Sequence, residues 1–339
     1  MIWLSWRQLR TQAAVVAAAV GLAAVVLLLI GRIGPGPTGN VFDQLTRADR
    51  GLFFGGIVVV ALAPALLGAF WGAPLVAREL EAGTHRLAWN QTVTRSRWLA
   101  TRLALTALAT SVAMGVLTLA VTWWSAPLDG ALSDTHGGLP SRLTPVSFAM
   151  RGIAPVAYGI FAVALGVALG LLLRRSLPAM AATLALFAFV QIAVPVWIRP
   201  HLIPPVTRTV TVSADTLDGI QLRGNGPDAV TLLTARPADP GDWVLSNRTL
   251  DPSGNGVTSM PAWFAQCVPP PSTDGPAGNG AAKADLQACF TRLAAEGYRQ
   301  QIVYQPASRF WSLQWAETGV FLGLSGLLAW YAFRRLRHA

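Results

Sequence analysis

Apolar runs separated by short polar segments set the pattern of this chain: residues 13–30, 52–70, 103–124, 153–173, 177–198 and 314–333. Each approaches the ~20 residues a helix needs to cross hydrocarbon. The first five carry no charge, and the sixth holds only Glu317. A charge at the middle of a membrane helix costs about 2.5–3.5 kcal/mol on insertion scales, and Glu317 falls about one turn inside its run, where it is expected to reach water. Residues 1–12 read as a helix lying in the membrane plane, with Ile2, Trp3, Trp6 and Leu9 on one face and Arg7 and Arg10 toward lipid headgroups. The charged start of a signal peptide is the competing reading, but the run that follows is longer than the ~7–15 residues of a signal core.

Composition sharpens this picture. The chain is 53% hydrophobic and 12% charged, against about 25% charged for a soluble domain. Its net charge of +10 raises the question of nucleic acid, and the placement of the charges answers it. With the amino terminus in the cytoplasm, twelve arginines between Arg7 and Arg337 fall on inner segments, against only Glu79 and Glu81. The remaining charges cancel, so the whole excess lies on one face, as the positive-inside rule requires. No continuous basic surface remains for nucleic acid. The expected localisation is the cytoplasmic (inner) membrane, multi-pass, with both termini cytoplasmic.

This orientation puts residues 199–308 outside. Val206, Arg208, Val210 and Val212 alternate with Thr207, Thr209 and Thr211 in a strand pattern, and 301–304 reads as a second strand. Residues 283–297 read as a helix with Leu286, Phe290 and Leu293 on one face. The Pro- and Gly-rich middle, around Pro269–Pro271 and 275–280, reads as loop. Cys267 and Cys289 both fall in this segment, where an oxidising compartment favours a disulfide; two free core thiols are the alternative. No histidine stands near them, so no metal site is expected. Asn247-Arg-Thr249 matches a glycosylation acceptor, with a chance match as the better reading.

The expected fold class is an all-α polytopic membrane protein with six transmembrane helices and an N-terminal interfacial helix, plus a small α+β extracytoplasmic domain between spans five and six. Its parts are an interfacial elbow helix (1–12), spans one to five (13–198) with a cytoplasmic loop at 73–102, the extracytoplasmic domain (199–308), and the sixth span with a basic tail (309–339). Along the spans, Pro64, Pro155 and Pro195 are candidate kinks. Gly159, Gly166 and Gly170, and Gly319, Gly323 and Gly326, are candidate close contacts between helices. Phe187, Phe189 and Gln191 are candidates to line a pathway, with core or lipid contact as the competing reading.

The stretch from Phe70 to Trp98 is the informative polar segment. Residues 76–81 look helical, and Gly83 can supply the left-handed stop. Thr84 can cap a short second helix through Trp89, and Thr94 can start the next span. An ordinary basic loop is the competing reading. However, Arg78-Glu-Leu-Glu-Ala-Gly-Thr84, followed by Thr94-Arg-Ser-Arg97 and Arg102, resembles the coupling region of type-2 ABC exporter permeases. The proline usual before the second cluster is absent, with Thr92 near its place. Arg151-Gly-Ile-Ala-Pro-Val-Ala-Tyr158, Leu173-Arg-Arg-Ser-Leu-Pro-Ala-Met180 and Gln305-Pro-Ala-Ser-Arg-Phe-Trp311 resemble an actinobacterial subfamily.

The resemblance implies a permease subunit that moves a cargo across the membrane using a separate ABC ATPase subunit docked on the cytoplasmic face. It implies a second permease copy, as homo- or heterodimer. Arg78, Glu79, Glu81, Gly83, Thr84, His85, Arg86 and Trp89 would form the coupling site, and ATP and Mg would be bound by the partner subunit. The chain itself carries no phosphate-cradling Gly-rich loop, no paired-histidine metal signature and no serine nucleophile elbow, so no catalytic residues and no cofactor of its own are expected. A hydrophobic or amphipathic cargo is expected, because no cluster reads anions or sugars. A receptor or sensor with the outer domain as its binding module is the alternative.

Overall fold

The computed structural model describes residues 47–83, 94–134, 141–223, 230–257, 260–267 and 280–338, with single helical positions at 14, 18, 21, 22 and 25. The expected interfacial helix (1–12) and nearly all of the first apolar run lie outside the described residues. Among the described residues, five helices are long and apolar enough to cross a membrane: Val58–Glu81, Arg95–Ser125, Ala154–Leu173, Ser176–Leu202 and Ala307–Arg337. The chain divides into two compact units, one of residues Met1–Ile203 with Ser308–Ala339 and one of Pro204–Ala307.

In the helical unit, α1 (Arg47–Leu67) runs through a π-helical turn (Gly68–Gly72) into α2 (Pro74–Glu81). Then come α3 (Arg95–Asp134), the short α4 (Pro145–Phe148) and α5 (Ala154–Leu173). Next, α6 (Ser176–Ala193) continues through a second π-helical turn (Val194–Ile198) into α7 (Arg199–Leu202). The hub is α5, whose apolar window is 72% buried. Lipid is as apolar as leucine, so helices here associate by close packing and not by hydrophobic burial. Gly68 and Gly72 face Ala162 and Val163, while Gly166 and Gly170 face the backbone of Gly68, Gly72 and Ala73. A Cβ at Gly166 would lie 2.4 Å from the Gly68 carbonyl oxygen, so the backbones meet only because neither helix carries a side chain there.

The three prolines sit in different settings. Pro64 lies inside α1, one turn before the Gly68–Gly72 turn, and Pro195 lies in the Val194–Ile198 turn. A widened turn accommodates Pro195, which falls inside it and has no N–H to donate. Pro155 bends nothing: it occupies the first turn of α5, where the N–H has no helical partner in any case.

The last helix of this unit, α9 (Phe310–His338), follows a 3-10 turn at Ala307–Arg309. One expectation about it finds no partner among the described residues, and another is corrected. Nothing lies within 4 Å of a Cβ built at Gly319, Gly323 or Gly326, so these glycines make no close contact among the described residues. Glu317 does not reach water either. It is 1% exposed and bonds Arg199, also 1% exposed, because the helix of the fifth apolar run continues past Ile198 to Leu202 and carries Arg199 into the bundle. One turn before Glu317, Gln314 Oε1 accepts from the N–H of Ile153 (3.1 Å) and Ala154 (2.8 Å). Its Nε2 donates to the carbonyl of Arg151 at 2.9 Å. Gln314 thus supplies the start of α5 with partners that helix cannot supply itself.

The Pro204–Ala307 unit has strands β1 (Val206–Thr211), β2 (Leu217–Arg223), β3 (Val230–Ala235), β4 (Trp243–Leu250) and β5 (Arg299–Gln305), with α8 (Gly280–Ala295). An antiparallel sheet of order β1-β5-β4 stands beside a β2-β3 hairpin. The β1, β5 and α8 expectations correspond to observed elements; β2, β3 and β4 had not been expected. The core gathers Val212, Leu233, Phe264, Phe290, Leu293 and Ile302. Asn247 and Gln300 tie the two sheets: Asn247 Nδ2 donates to the Ala235 carbonyl (2.9 Å), and Gln300 Nε2 donates to Asn247 Oδ1 (2.6 Å) and the Leu233 carbonyl (2.8 Å). Asn247 is thus spent on structure. Cys267 and Cys289 are joined in a disulfide that pins α8 to the 3-10 turn Ala262–Cys267.

Candidate functional site: the arginine-rich end of the bundle

The end of the bundle where α2 finishes also holds the starts of α3 and α6 and the last turns of α5 and α9. Leu75 and Val76 of α2, Trp98 and Leu99 of α3, Val167 and Leu171 of α5, and Ala332 and Leu336 of α9 form one buried cluster there. The polar stretch is less of a loop than expected. From Phe70 to Glu81 the chain is the helical continuation of a span, with Trp71, Ala73, Leu75, Val76 and Ala77 buried. Gly83 has φ +69°, the left-handed stop expected of it. Thr94 Oγ1 accepts the N–H of Arg97 at 3.4 Å and so caps the start of α3.

Two polar links, an ion pair and a charge-assisted hydrogen-bond pair, fasten α2 to its neighbours. Glu79 pairs with Arg102 of α3 at 2.5 Å. The Arg102 guanidinium also donates to the Leu75 carbonyl (3.3 Å) and lies 4.7 Å from the Trp98 ring centre. Glu81 Oε2 accepts from both the backbone N–H (3.0 Å) and the hydroxyl (2.8 Å) of Ser176. The first turn of α6 therefore takes its cap from another helix, since Arg175 at its own cap position makes no such bond. A carboxylate also suits the positive end of a helix dipole. The turn that brings Ser176 there needs Arg174 at φ +54°, its N–H bonded to the Gly170 carbonyl at 3.0 Å. Beside this link, Phe70, Pro74, Arg78, Glu81, Ser176 and Met180 line an open groove.

Of the residues expected to couple, Arg78 and Glu81 are exposed, Glu79 is half-buried, and Gly83 ends the helix. Thr84, His85, Arg86 and Trp89 lie outside the described residues. Phe187, Phe189 and Gln191 do not share one face: Phe187 is buried against Phe161, Phe189 is 58% exposed near Trp197, and Gln191 is half-buried. Ser176 and Arg102 are the partners that residue patterns had not assigned to α2. Their signal was a polar residue opening each of two spans on the face that also carries Glu79 and Glu81. Among the described residues, no group of His, Cys, Asp and Glu could hold a metal ion.

No curated protein and no solved structure matched the chain. Residues 31–199, which take in α1 to α6, match the model of the family described as ABC-2 membrane transporter related, and that match supports reading this chain as the transmembrane permease of an ABC transporter.

Proposed function

We propose that this chain is the permease subunit of an ATP-driven exporter that moves a hydrophobic or amphipathic cargo across the cytoplasmic membrane. A separate ABC ATPase subunit docks at the arginine-rich end, which faces the cytoplasm, and binds the ATP and Mg. Two permease chains, identical or similar, form the working pair. The Pro204–Ala307 unit lies outside, and the Cys267–Cys289 disulfide supports that side. The actinobacterial subfamily is part of the same reading.

The observation that carries this reading is mechanical. Helix α2 is continuous with one span, ion-paired to a second through Glu79–Arg102 and hydrogen-bonded to a third through Glu81–Ser176. A push on the segment that follows Gly83 therefore reaches three spans through short, stiff links. Docking falls to the exposed Arg78 and to 84–93, while Glu79 and Glu81 transmit. The test is reconstitution with the ATPase. Glu79→Ala with Glu81→Ala is expected to leave the two subunits associated but to abolish cargo-stimulated ATP hydrolysis. Full stimulation in that variant would refute the transmission role. Failure of any ATPase to associate with the unaltered chain would refute the exporter reading.

A further inference from the structure

The permease reading leaves one buried charged cluster without a role. Glu317 on α9 has both oxygens occupied: Oε2 accepts from Arg199 Nε at 2.6 Å, and Oε1 accepts from Arg199 Nη2 at 2.9 Å and from the Tyr158 hydroxyl. Arg199 Nη1 donates to the Pro145 carbonyl at 3.3 Å, and the guanidinium lies 4.1 Å from the Phe148 ring centre. Tyr158 is 1% exposed and packs its ring on Phe321. Elements α4, α5, α7 and α9 thus converge on one ion pair.

We propose that this cluster is a lock of the transport cycle: it holds the ends of α7 and α9 against α5 in the present conformation, and its partners separate when the pathway opens at that end. The proposal rests on the permease reading. Three observations carry it. Well-packed apolar side chains hold helices at least as firmly as a buried ion pair, which must overcome the desolvation of two charges. What the ion pair adds is a second stable arrangement, because both partners are well solvated once water enters. Both charges also stand close to a helix end, Arg199 in the last turn before Ile203 and Glu317 in the early turns of α9, so a small parting admits water. Finally, the Val194–Ile198 π-helical turn, with Pro195 inside it, directly precedes Arg199. Val196, Trp197 and Ile198 point outward while Arg199 points in. Such widened turns adjust at lower cost than a regular helix and recur at functional sites.

The test uses the full chain in lipid nanodiscs, first alone and then with its ATPase. The chain has two cysteines, both in the disulfide, so Thr318→Cys adds one reactive thiol beside Glu317 at a position 8% exposed. Labelling by a water-soluble maleimide is expected to be slow in that protein. Glu317→Gln in the same background should raise it at least about tenfold, because removing one partner strands a buried charge. Arg199→Met with Glu317→Leu should return it to the slow rate with thermal stability retained, yet lower ATP-driven transport at least about tenfold, because the lock is then permanently shut. During transport by the Thr318→Cys protein, labelling should rise with ATP. Slow labelling in Glu317→Gln, full transport in the apolar pair, or no rise with ATP during active transport would each overturn the lock. An absence of ATP-driven transport by the unaltered chain would count against the exporter reading instead, while the Glu317→Gln comparison still decides whether the pair holds the helices closed.

Discussion

Replacing Gly166 by alanine tests the packing on which the helical unit depends. The added Cβ would stand 2.4 Å from the Gly68 carbonyl oxygen, 2.6 Å from the Ala73 nitrogen and 2.9 Å from the Gly72 carbonyl carbon. All three atoms are backbone, so no rotamer change relieves the clash. Helix α5 and the α1–α2 segment must part by about 1 Å to restore ordinary contact. A gap of ~0.5–1 Å forfeits a quarter to a half of each contact's attraction, and overpacking costs about 1–3 kcal/mol. The upper end applies here, about 3 kcal/mol. Gly319→Ala is the matched control, because nothing among the described residues lies within 4 Å of its Cβ position and alanine favours a helix by about 1 kcal/mol over glycine. At roughly 2–4 °C per kcal/mol, Gly166→Ala should lower the melting temperature in detergent by about 6–12 °C, whereas Gly319→Ala should leave it unchanged or raise it slightly. Equal melting temperatures for the two variants would mean that these backbones do not meet.

Other consequences follow from single contacts. Gln314→Leu strands the N–H groups of Ile153 and Ala154 and the Arg151 carbonyl; at about 1–3 kcal/mol per buried unsatisfied group, folded yield and melting temperature should fall sharply. Ser176→Ala removes one of the two bonds that Glu81 accepts and should weaken the coupling of ATP hydrolysis to transport while leaving subunit association unchanged in pull-down. Removing the disulfide by Cys267→Ala with Cys289→Ala opens a loop of sequence separation 22 and should destabilise the Pro204–Ala307 unit by about 3 kcal/mol, read as faster limited proteolysis within it. Burial pushes the Asp242 carboxyl above its ordinary range, against the backbone N–H groups of Ala307 and Asp239 that favour its charge. Its pKa is then higher folded than unfolded, so stability should fall as pH rises from the ordinary aspartate range through the raised one; Asp242→Asn should flatten that slope in proteolysis measured across pH.

Five spans were legible because a membrane helix is written as a long apolar run, and Gly83 and Thr94 were legible because stops and caps use few residue types. The helical nature of 70–75 was hidden: Pro74 looks like a breaker, but the preceding π-helical turn places it where no N–H is needed. Strand β4 escaped because Trp243–Leu250 alternates poorly, with the polar Asn247 and Thr249 bonded to Gln300 where a strand pattern would place apolar residues. Arg199 was read as the first polar residue after a span. Only a partner 118 positions away, Glu317, makes it an interior residue. Long-range pairing of that kind leaves no local pattern. The split of Phe187 from Phe189 has a simpler cause, since residues two apart on a helix point to different sides.

The most direct test of the account is cross-linking from the exposed Ala82, between the Glu81 link and the Gly83 stop. A photoreactive group placed there in the full chain, in native membranes, should capture a subunit that is itself labelled by an azido-ATP analogue, and the yield should change on adding nucleotide. A chain that transports its cargo while position 82 captures no nucleotide-binding subunit would contradict the claim that work enters through this end of the bundle.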